Sequence, residues 1–592
     1  MATMSKQEIA AALEEIGVLL EIKGENEFRC KSYHNAARAL NQLPGDFHEL
    51  MATGALGQTR GLGATMIEKI TAMYNTGELE FLKELRSEIP PGVIDMLRIP
   101  GIGPKKVISF RQHLGVESIA DLEKACLEGR VAGLKGFGLK TQQKILEGIA
   151  FLGQVGQRVL FNQAQPLGLR LLQQISQMDG VIRSELCGSL RRKRETAKDI
   201  DILVSSANPK PIMDAFVALP EVMQVVAHGE TKSSVVAALA SAGTKVVLNA
   251  DLRIVPDISF ACALHYFTGS KDHNIRMRSR ALDRGLSLNE YALKKADGII
   301  PCPEEKDIFA ALDLDYIPPE LREDTGEIEA AAEHRLPRLI ETGEIRGVFH
   351  NHTTYSDGSA SVEEMARAAQ QLGFEYFGVG DHSQSLKVAR GMSPERVRQQ
   401  WQEIDAIQSR LPGIRILKGV EVDILEDGSL DYDDELLFQF DYVVASVHSH
   451  FNQTIEVMTR RICTAIAHPA VTMLGHATGR LLLQREAYRV DLDQVLSTAA
   501  RHGTMIEINA HPVRLDLDWI HCKQAKKLGI PIVINPDAHA PAELALFQYG
   551  VYEARRGWLE KDDIFNTRTL PEIMHELQRR RQTRLERQKQ LN

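Results

Sequence analysis

No run of apolar residues in this chain reaches the roughly 20 needed to cross a bilayer, which argues against a membrane partner. Cysteine is sparse too. The seven residues are an odd number with no CxxC spacing, so reduced thiols in a cytoplasm are expected rather than a disulfide framework. Positive charge is not in excess either: 70 Lys and Arg face 79 Asp and Glu, for a net charge of −9. Any nucleic-acid binding must then rest on local basic patches rather than on overall charge. The N-terminal stretch MATMSKQEIAAALEEIG starts an amphipathic helix and lacks the apolar core of a signal peptide, again as expected of a cytoplasmic chain.

What is present is the composition of a soluble globular protein, 44% apolar and 25% charged over 592 residues, long enough for about three to five domains. Histidine is unevenly spread, with eleven of nineteen between His350 and His539. Residues 1–155 read as helical, with Ile9, Leu13, Ile16 and Leu20 at helical spacing. Strands mixed with helices follow over 156–260, then a compact helical segment near 261–317. The Pro-rich, acidic stretch LDYIPPELREDTGEIEA points to an interdomain linker over 318–340. Strands and helices alternate over 341–575, and residues 576–592 read as a basic, solvated, frayed helix.

A Gly-apolar-Gly step followed by a lysine-bearing helix start occurs three times in the helical part: Gly61–Gly63, Gly101–Gly103 and Gly136–Gly138. Lys69, Lys105, Lys106, Lys140 and Lys144 lie in the turns that follow. Two glycines let backbone N–H groups at a helix start approach a phosphate closely. The repeats resemble the helix-hairpin-helix element, which grips the DNA backbone without reading sequence. Gly61, Gly63, Gly101, Gly103 and Lys105 are the DNA-binding residues this implies. Residues 1–85 and 86–155 are expected as two such domains.

In GSLRRKRETAKDIDILV, Asp199 and Asp201 fall on one face of an apolar strand, where two carboxylates need a cation or a proton between them. NADLRIVP places Asp251 on another apolar strand. Gly188-Ser189 followed by Asp199-Ile-Asp201 is similar to the nucleotidyltransferase signature. HGETK (228–232) and YFTGSKDHNIRMRSRALDRGLSLNEY (266–291) resemble segments of the family X DNA polymerases. That resemblance covers about residues 1–300. It implies Asp199, Asp201 and Asp251 as catalytic metal ligands for Mg²⁺ or Mn²⁺. It also implies Gly188, Ser189 and Arg192 at the triphosphate, Tyr266, Phe267 and Gly269 along the sugar, and Asn274 and Arg278 facing the nascent base pair. Lys69 matches a Schiff-base lysine of that family; a plain phosphate contact is the other reading, because Thr65 replaces a second lysine there.

The segments IRGVFHNH, EYFGVGDHS, ILKGVEVDI, FDYVVASVHSH, VTMLGHATGR, GTMIEINAH and PIVINPDAH each read as an apolar strand ending in His, Asp or Glu. Repeated βα units imply a parallel barrel with its site at the strands' C-terminal ends. In order and spacing this part resembles the PHP (polymerase and histidinol phosphatase) domain. The resemblance implies nine ligands, His350, His352, Asp357, His382, Glu421, His448, His476, Asp537 and His539, for three Mn²⁺ or Zn²⁺ ions, with Glu421 bridging. His450, His468 and His511 lie close in sequence to these ligands and are candidates to support them, although the family pattern does not require them; Ala477 replaces a proline common in that family.

The expected architecture is therefore multidomain. It comprises all-α hairpin domains, an α+β nucleotidyltransferase palm, a mixed thumb and a distorted (β/α)7 barrel. The implied activity is gap-filling DNA synthesis with 3′→5′ trimming, on gapped or nicked DNA and dNTPs, by a monomer. Two other readings fit the same residues: a polymerase whose PHP domain is a metal-stabilised scaffold, and a non-catalytic DNA-end-binding protein.

Overall fold

The computed structural model describes residues 4–591 except 5, 43–46, 48–49, 52–55, 57–61, 78, 100–101, 155–157 and 242–243. The chain forms two compact units, residues 1–157 and 158–592.

The first unit is helical. Ile9, Leu13, Ile16 and Leu20 line the buried face of helix Lys6–Lys23, as their spacing predicts. They share one core with Leu82, Val93, Phe110 and Ile145. The segments expected as two domains thus pack as one body. Arg86 donates both its Nε and Nη2 hydrogens to Glu15 at 2.7 Å, tying the two segments together.

The second unit begins with a five-stranded sheet in the order Arg183–Leu186, Asp199–Ser205, Thr244–Val255, Lys232–Ser241, Val222–His228. Only the Asp199–Ser205 and Thr244–Val255 pair is parallel. Ile200, Ile202 and Val204 alternate into the core beneath, while Leu203 packs against Phe260 and Leu264 on the opposite face. Asp199 and Asp201 share that second face, toward the strand's N-terminal end.

The stretch 318–340 is folded, not a linker. Glu320, Arg322 and Glu327 are buried, and Leu321, Ile328 and Leu339 share a core with Met277, Ile308 and Phe309. Its acids suggest exposure in the sequence, but the two buried glutamates are met by side chains from elsewhere. Arg555 donates to Glu320 at 2.9 Å, and His273 pairs with Glu327 at 2.7 Å.

Seven parallel strands then follow one another in sequence order, from Gly347–Val348 through Tyr376–Val379, Arg415–Asp423, Tyr442–Ser446, Met473–Leu474 and Met505–Asn509 to Ile532–Asn535. Their residues are almost all buried, which is why they read as continuous apolar runs. The first and last strands approach at a seam. Asn351 and Ala538 form a parallel bridge there, and the Asn566 amide donates to both Gly347 O (2.9 Å) and Ile534 O (2.7 Å).

The C-terminal helix Leu570–Leu591 caps the other end of this barrel, with Ile573 and Leu577 packed on Phe349, Tyr442 and Met473. The expectation of a solvated tail from 576 therefore fails for its first turns. Arg580 donates to Gly503 O at 3.0 Å and Arg581 to Phe438 O at 3.1 Å, so these charges satisfy buried-end carbonyls rather than water. Among the described residues no helix is long and apolar enough to cross a membrane.

Candidate active sites

In the first unit Gly63 and Gly103 immediately precede helices Ala64–Thr76 and Pro104–Leu114. Neither helix start is capped by a side chain, and a Cβ at either glycine would meet nothing within 4 Å. Among the described residues, no N-cap side chain takes up the first N–H groups, which leaves them available to an incoming oxygen. Gly61 and Gly101 lie outside the described residues. Lys69 is half-buried, its Nζ 4.3 Å from the Phe81 ring centroid and 5.4 Å from that of Tyr33, with Arg29 over the same Phe81 ring.

In the second unit the parallel register sets Asp201 directly beside Asp251, and Asp199 beside Asn249. Burial, then the neighbouring charges of Asp199 and Asp251, push the Asp201 carboxyl up to about 7. The three carboxylates thus repel one another, a pattern of charge that a cation would relieve. Lys232, from the HGETK stretch, sets a positive charge against them, its Nζ 3.0 Å from Asp251 Oδ2. Gly188 has φ of +58° and comes so close to this site that a Cβ would lie 2.2 Å from Asp201 Oδ2. Only glycine satisfies both conditions.

Arg192 is buried. Its guanidinium donates to the Thr268 carbonyl and, at 3.1 Å, to Glu323 Oε1. A Cβ on Gly269 (φ +70°) would meet Arg192 Nη1 at 3.1 Å, so these two residues are in mutual contact. Asn274 donates to Tyr266 O at 2.7 Å, Tyr266 and Phe267 meet edge to face, and Arg278 is exposed.

At the C-terminal ends of the barrel strands all nine expected ligands converge. Glu421 is the centre. Its Oε1 lies 3.3 Å from His350 Nε2, 3.3 Å from His448 Nε2 and 3.0 Å from His476 Nε2, and its Oε2 is 2.8 Å from His382 Nδ1. Asp537 Oδ1 reaches His352 Nε2 at 3.0 Å, and Asp357 lies 3.4 Å from His539 Nε2 and 3.6 Å from His382 Nε2.

Three groups in this cluster could each hold a metal ion: His352, Asp357, His382 and His539; His350, His352 and Asp537; His382, Glu421 and His448. The residues fit such ions. Buried His350 Nε2, His352 Nε2, His382 Nδ1 and Glu421 Oε2 lie in ion-pair range of one another or of Asp537 without forming a well-aligned hydrogen bond, and a cation would satisfy them. Charge follows the same logic. Burial opposes a proton on His382 and His539, yet the surrounding carboxylates push them up to about 10 and about 9. His352, pressed between those two rings, is held down to about 4 by burial and by His382.

Two carboxylates behind the cluster were not singled out in the sequence. Glu507 accepts from His350 Nδ1 at 2.7 Å and from the His476 N–H at 2.8 Å; Asp423 pairs with His448 Nδ1 at 2.6 Å. Each fixes its histidine with Nε2 toward Glu421. Their signal was legible: Glu507 interrupts an apolar strand, and Asp423 shares a face with Glu421. His450 and His468 turn away to Glu426 and Asp434. His511 is half-buried near Asp537 and His539, whose charges act on it.

Family models match four stretches: a helix-hairpin-helix domain over 4–79, a SAM-like helix-hairpin-helix tandem over 93–150, a DNA polymerase beta thumb over 263–323 and a PHP domain over 349–511. A Bacillus subtilis (strain 168) protein described as "DNA polymerase/3′-5′ exonuclease PolX" is 38% identical over 572 residues, 96% of this chain and 99% of its own. DNA polymerase lambda of Rattus norvegicus is 26% identical over 347 residues, 54% of this chain and 57% of its own. A probable phosphatase of Acetivibrio thermocellus is 31% identical over 207 residues, 33% of this chain and 81% of its own.

Proposed function

The chain belongs to the family X DNA polymerases that carry a C-terminal PHP domain, and from that premise we propose that its two acidic centres act in opposite directions on one DNA 3′ end. The palm adds nucleotides to fill short gaps, and the barrel removes them 3′→5′. The observation that carries this reading is that both sets of acids are complete in one chain: Asp201 beside Asp251 in register, and Glu421 touching four histidines.

In the palm, Asp199, Asp201 and Asp251 would hold Mg²⁺ or Mn²⁺. Bound there, the ions would lower the pKa of the primer 3′-hydroxyl and neutralise the triphosphate. Lys232, which pairs with Asp251 here, would compete with a cation for that carboxylate. Arg192 exchanges Glu323 for phosphate oxygens, beside Ser189 and the Gly188 backbone. Tyr266, Phe267 and Gly269 border the sugar, and Asn274 and Arg278 face the base pair. Gly63, Gly103 and Lys105 contact the DNA backbone through open N–H groups and charge.

In the barrel the nine ligands would hold three Mn²⁺ or Zn²⁺ ions. Such ions would clamp the phosphate and activate water for attack on phosphorus. Glu507 and Asp423 keep His350 and His448 in the ligating tautomer throughout.

Paired variants test the assignment on a gapped duplex with Mg²⁺ and Mn²⁺ compared. Asp199→Ala should abolish primer extension and spare degradation, and His382→Ala should do the reverse. If neither variant changes either activity, the mechanism is wrong; if His382→Ala leaves degradation intact, the barrel is a scaffold.

A further inference from the structure

A cavity of about 600 Å³ lies between the loop that follows His448 and the loop that follows His476. Phe451 and Gly479 line it, each three residues beyond one of those histidines, a span of at most about 11 Å of chain. Both histidines touch Glu421, so two of the cavity's lining residues are only three residues of chain from the ligand cluster.

Its wall is a built platform. The Phe451 and Tyr488 rings stack at 6.2 Å and 12°, and the Arg485 guanidinium sits 4.5 Å from the Phe451 centroid. Tyr488 Oη donates to Ala477 O at 2.7 Å, and Arg485 Nη2 to Gly479 O at 2.8 Å, so the platform is pinned to the His476 loop. Arg485 is nevertheless exposed, and Arg489 stands beside it. On the cluster side Arg514 lies 3.7 Å from Asp537 Oδ2. The Leu482 N–H donates to Val513 O at 2.6 Å, so the loop that carries Arg485 runs beside the one that carries Arg514. Guanidiniums on two adjoining loops offer a phosphate donors from both sides.

We propose that this cavity seats the nucleotides adjoining the cleaved bond at a single-stranded DNA 3′ end. A base lies against the Phe451–Arg485 platform, and the phosphates meet Arg485 and Arg514. The inference rests on the reading that the cluster cuts DNA. The chemistry selects the occupant. A guanidinium on an aromatic ring offers a flat face for a base and paired donors for a phosphate. Bases inside a duplex have no free face for such a platform, so the terminal nucleotides enter unpaired. Glu456 and Glu486 on the rim keep the surface from being a general polyanion patch.

The test uses the full-length protein and the short single strand dT4. Arg485→Glu should raise the KM for dT4 degradation at least tenfold, with kcat within threefold. The salt dependence of kcat/KM should become shallower by about one phosphate contact. Arg485→Lys should recover part of the loss, and Phe451→Ala should weaken metal-free binding of labelled dT4, read by anisotropy, about tenfold. Primer extension by the same variants reports that the chain is folded. Unchanged KM and binding in Arg485→Glu overturn the seat, as does a loss confined to kcat. Degradation of dT4 by His382→Ala at the wild-type rate is a separate result: it removes the nuclease reading, and the seat with it.

Discussion

Arg480 of the barrel holds Glu195 of the palm at 2.6 Å, and the two residues extend the loops that begin at His476 and Arg192. The same guanidinium donates to Arg514 O at 2.9 Å and to Leu515 O. One side chain therefore joins the palm loop that follows Arg192 to the rim of the histidine cluster. Nearby, Glu323 contacts both Arg192 and Arg556 of the barrel, at 3.1 and 3.7 Å.

Glu195 and Arg480 should therefore couple measurably. A double-mutant cycle of Glu195→Ala and Arg480→Ala, followed by chemical denaturation, is expected to give an interaction of about 1–3 kcal/mol. Arg480→Ala should lower nuclease activity more than Glu195→Ala does, because it also releases the Arg514 and Leu515 carbonyls. Additive stability losses would mean that the two domains merely touch.

Gly188→Ala is expected to reduce primer extension at least a hundredfold while leaving degradation intact. The new methyl group meets Asp201 Oδ2 at 2.2 Å in a backbone conformation that alanine disfavours. Extension within tenfold of the parent would show that Asp201 can move aside without cost.

Glu507→Gln retains the shape behind His350 and removes the charge that holds its Nδ1 proton. Metal affinity of the barrel should fall 10- to 100-fold, read as metal content after dialysis at graded concentrations. Primer extension is the internal control. A variant that keeps its full metal complement would make Glu507 a packing residue only.

Much of this was legible. The acids and histidines could be read because apolar strands deliver them at strand ends, where a charge stands out against Val and Ile. What the sequence hid was partnership. Glu320, Glu327 and Arg322 suggested a linker because their partners Arg555, His273 and Glu305 lie outside the stretch, 235, 54 and 17 residues away in the chain. Arg580 and Arg581 suggested a frayed tail because the carbonyls they satisfy belong to the barrel's end. Glu507 reads as a lone acid in an apolar strand because its task, holding His350, exists only once the barrel is formed.

Two buried glutamates should give stability opposite dependences on pH. Burial would raise Glu305, but Arg322 and Arg191 hold it well below the carboxylate range. It stabilises above its unfolded pKa of about 4.3, and that contribution is lost as pH falls. Burial, with Glu195 adding to it, pushes Glu553 up to about 8. Its contribution is full below about pH 4.3 and is lost as pH rises toward 8. Melting temperatures between pH 4 and 9 should show Glu305→Gln destabilised at neutral pH by about 3–5 kcal/mol, with a flatter acid limb. Glu553→Gln should be flatter on the alkaline limb; a slope equal to that of the parent would sink the assignment.

The barrel's seam has a consequence for the order of events in the making of the molecule. His352 and His539 come from opposite ends of the domain, yet their rings lie 4.3 Å apart. The three palm acids, by contrast, all sit on two neighbouring strands close together in the chain. As the polypeptide leaves the ribosome, the palm has its three clustered acids early. The histidine cluster waits until the last barrel strand emerges and finds the first. A nascent chain thus passes through a stage at which one acidic centre is assembled and the other is still open.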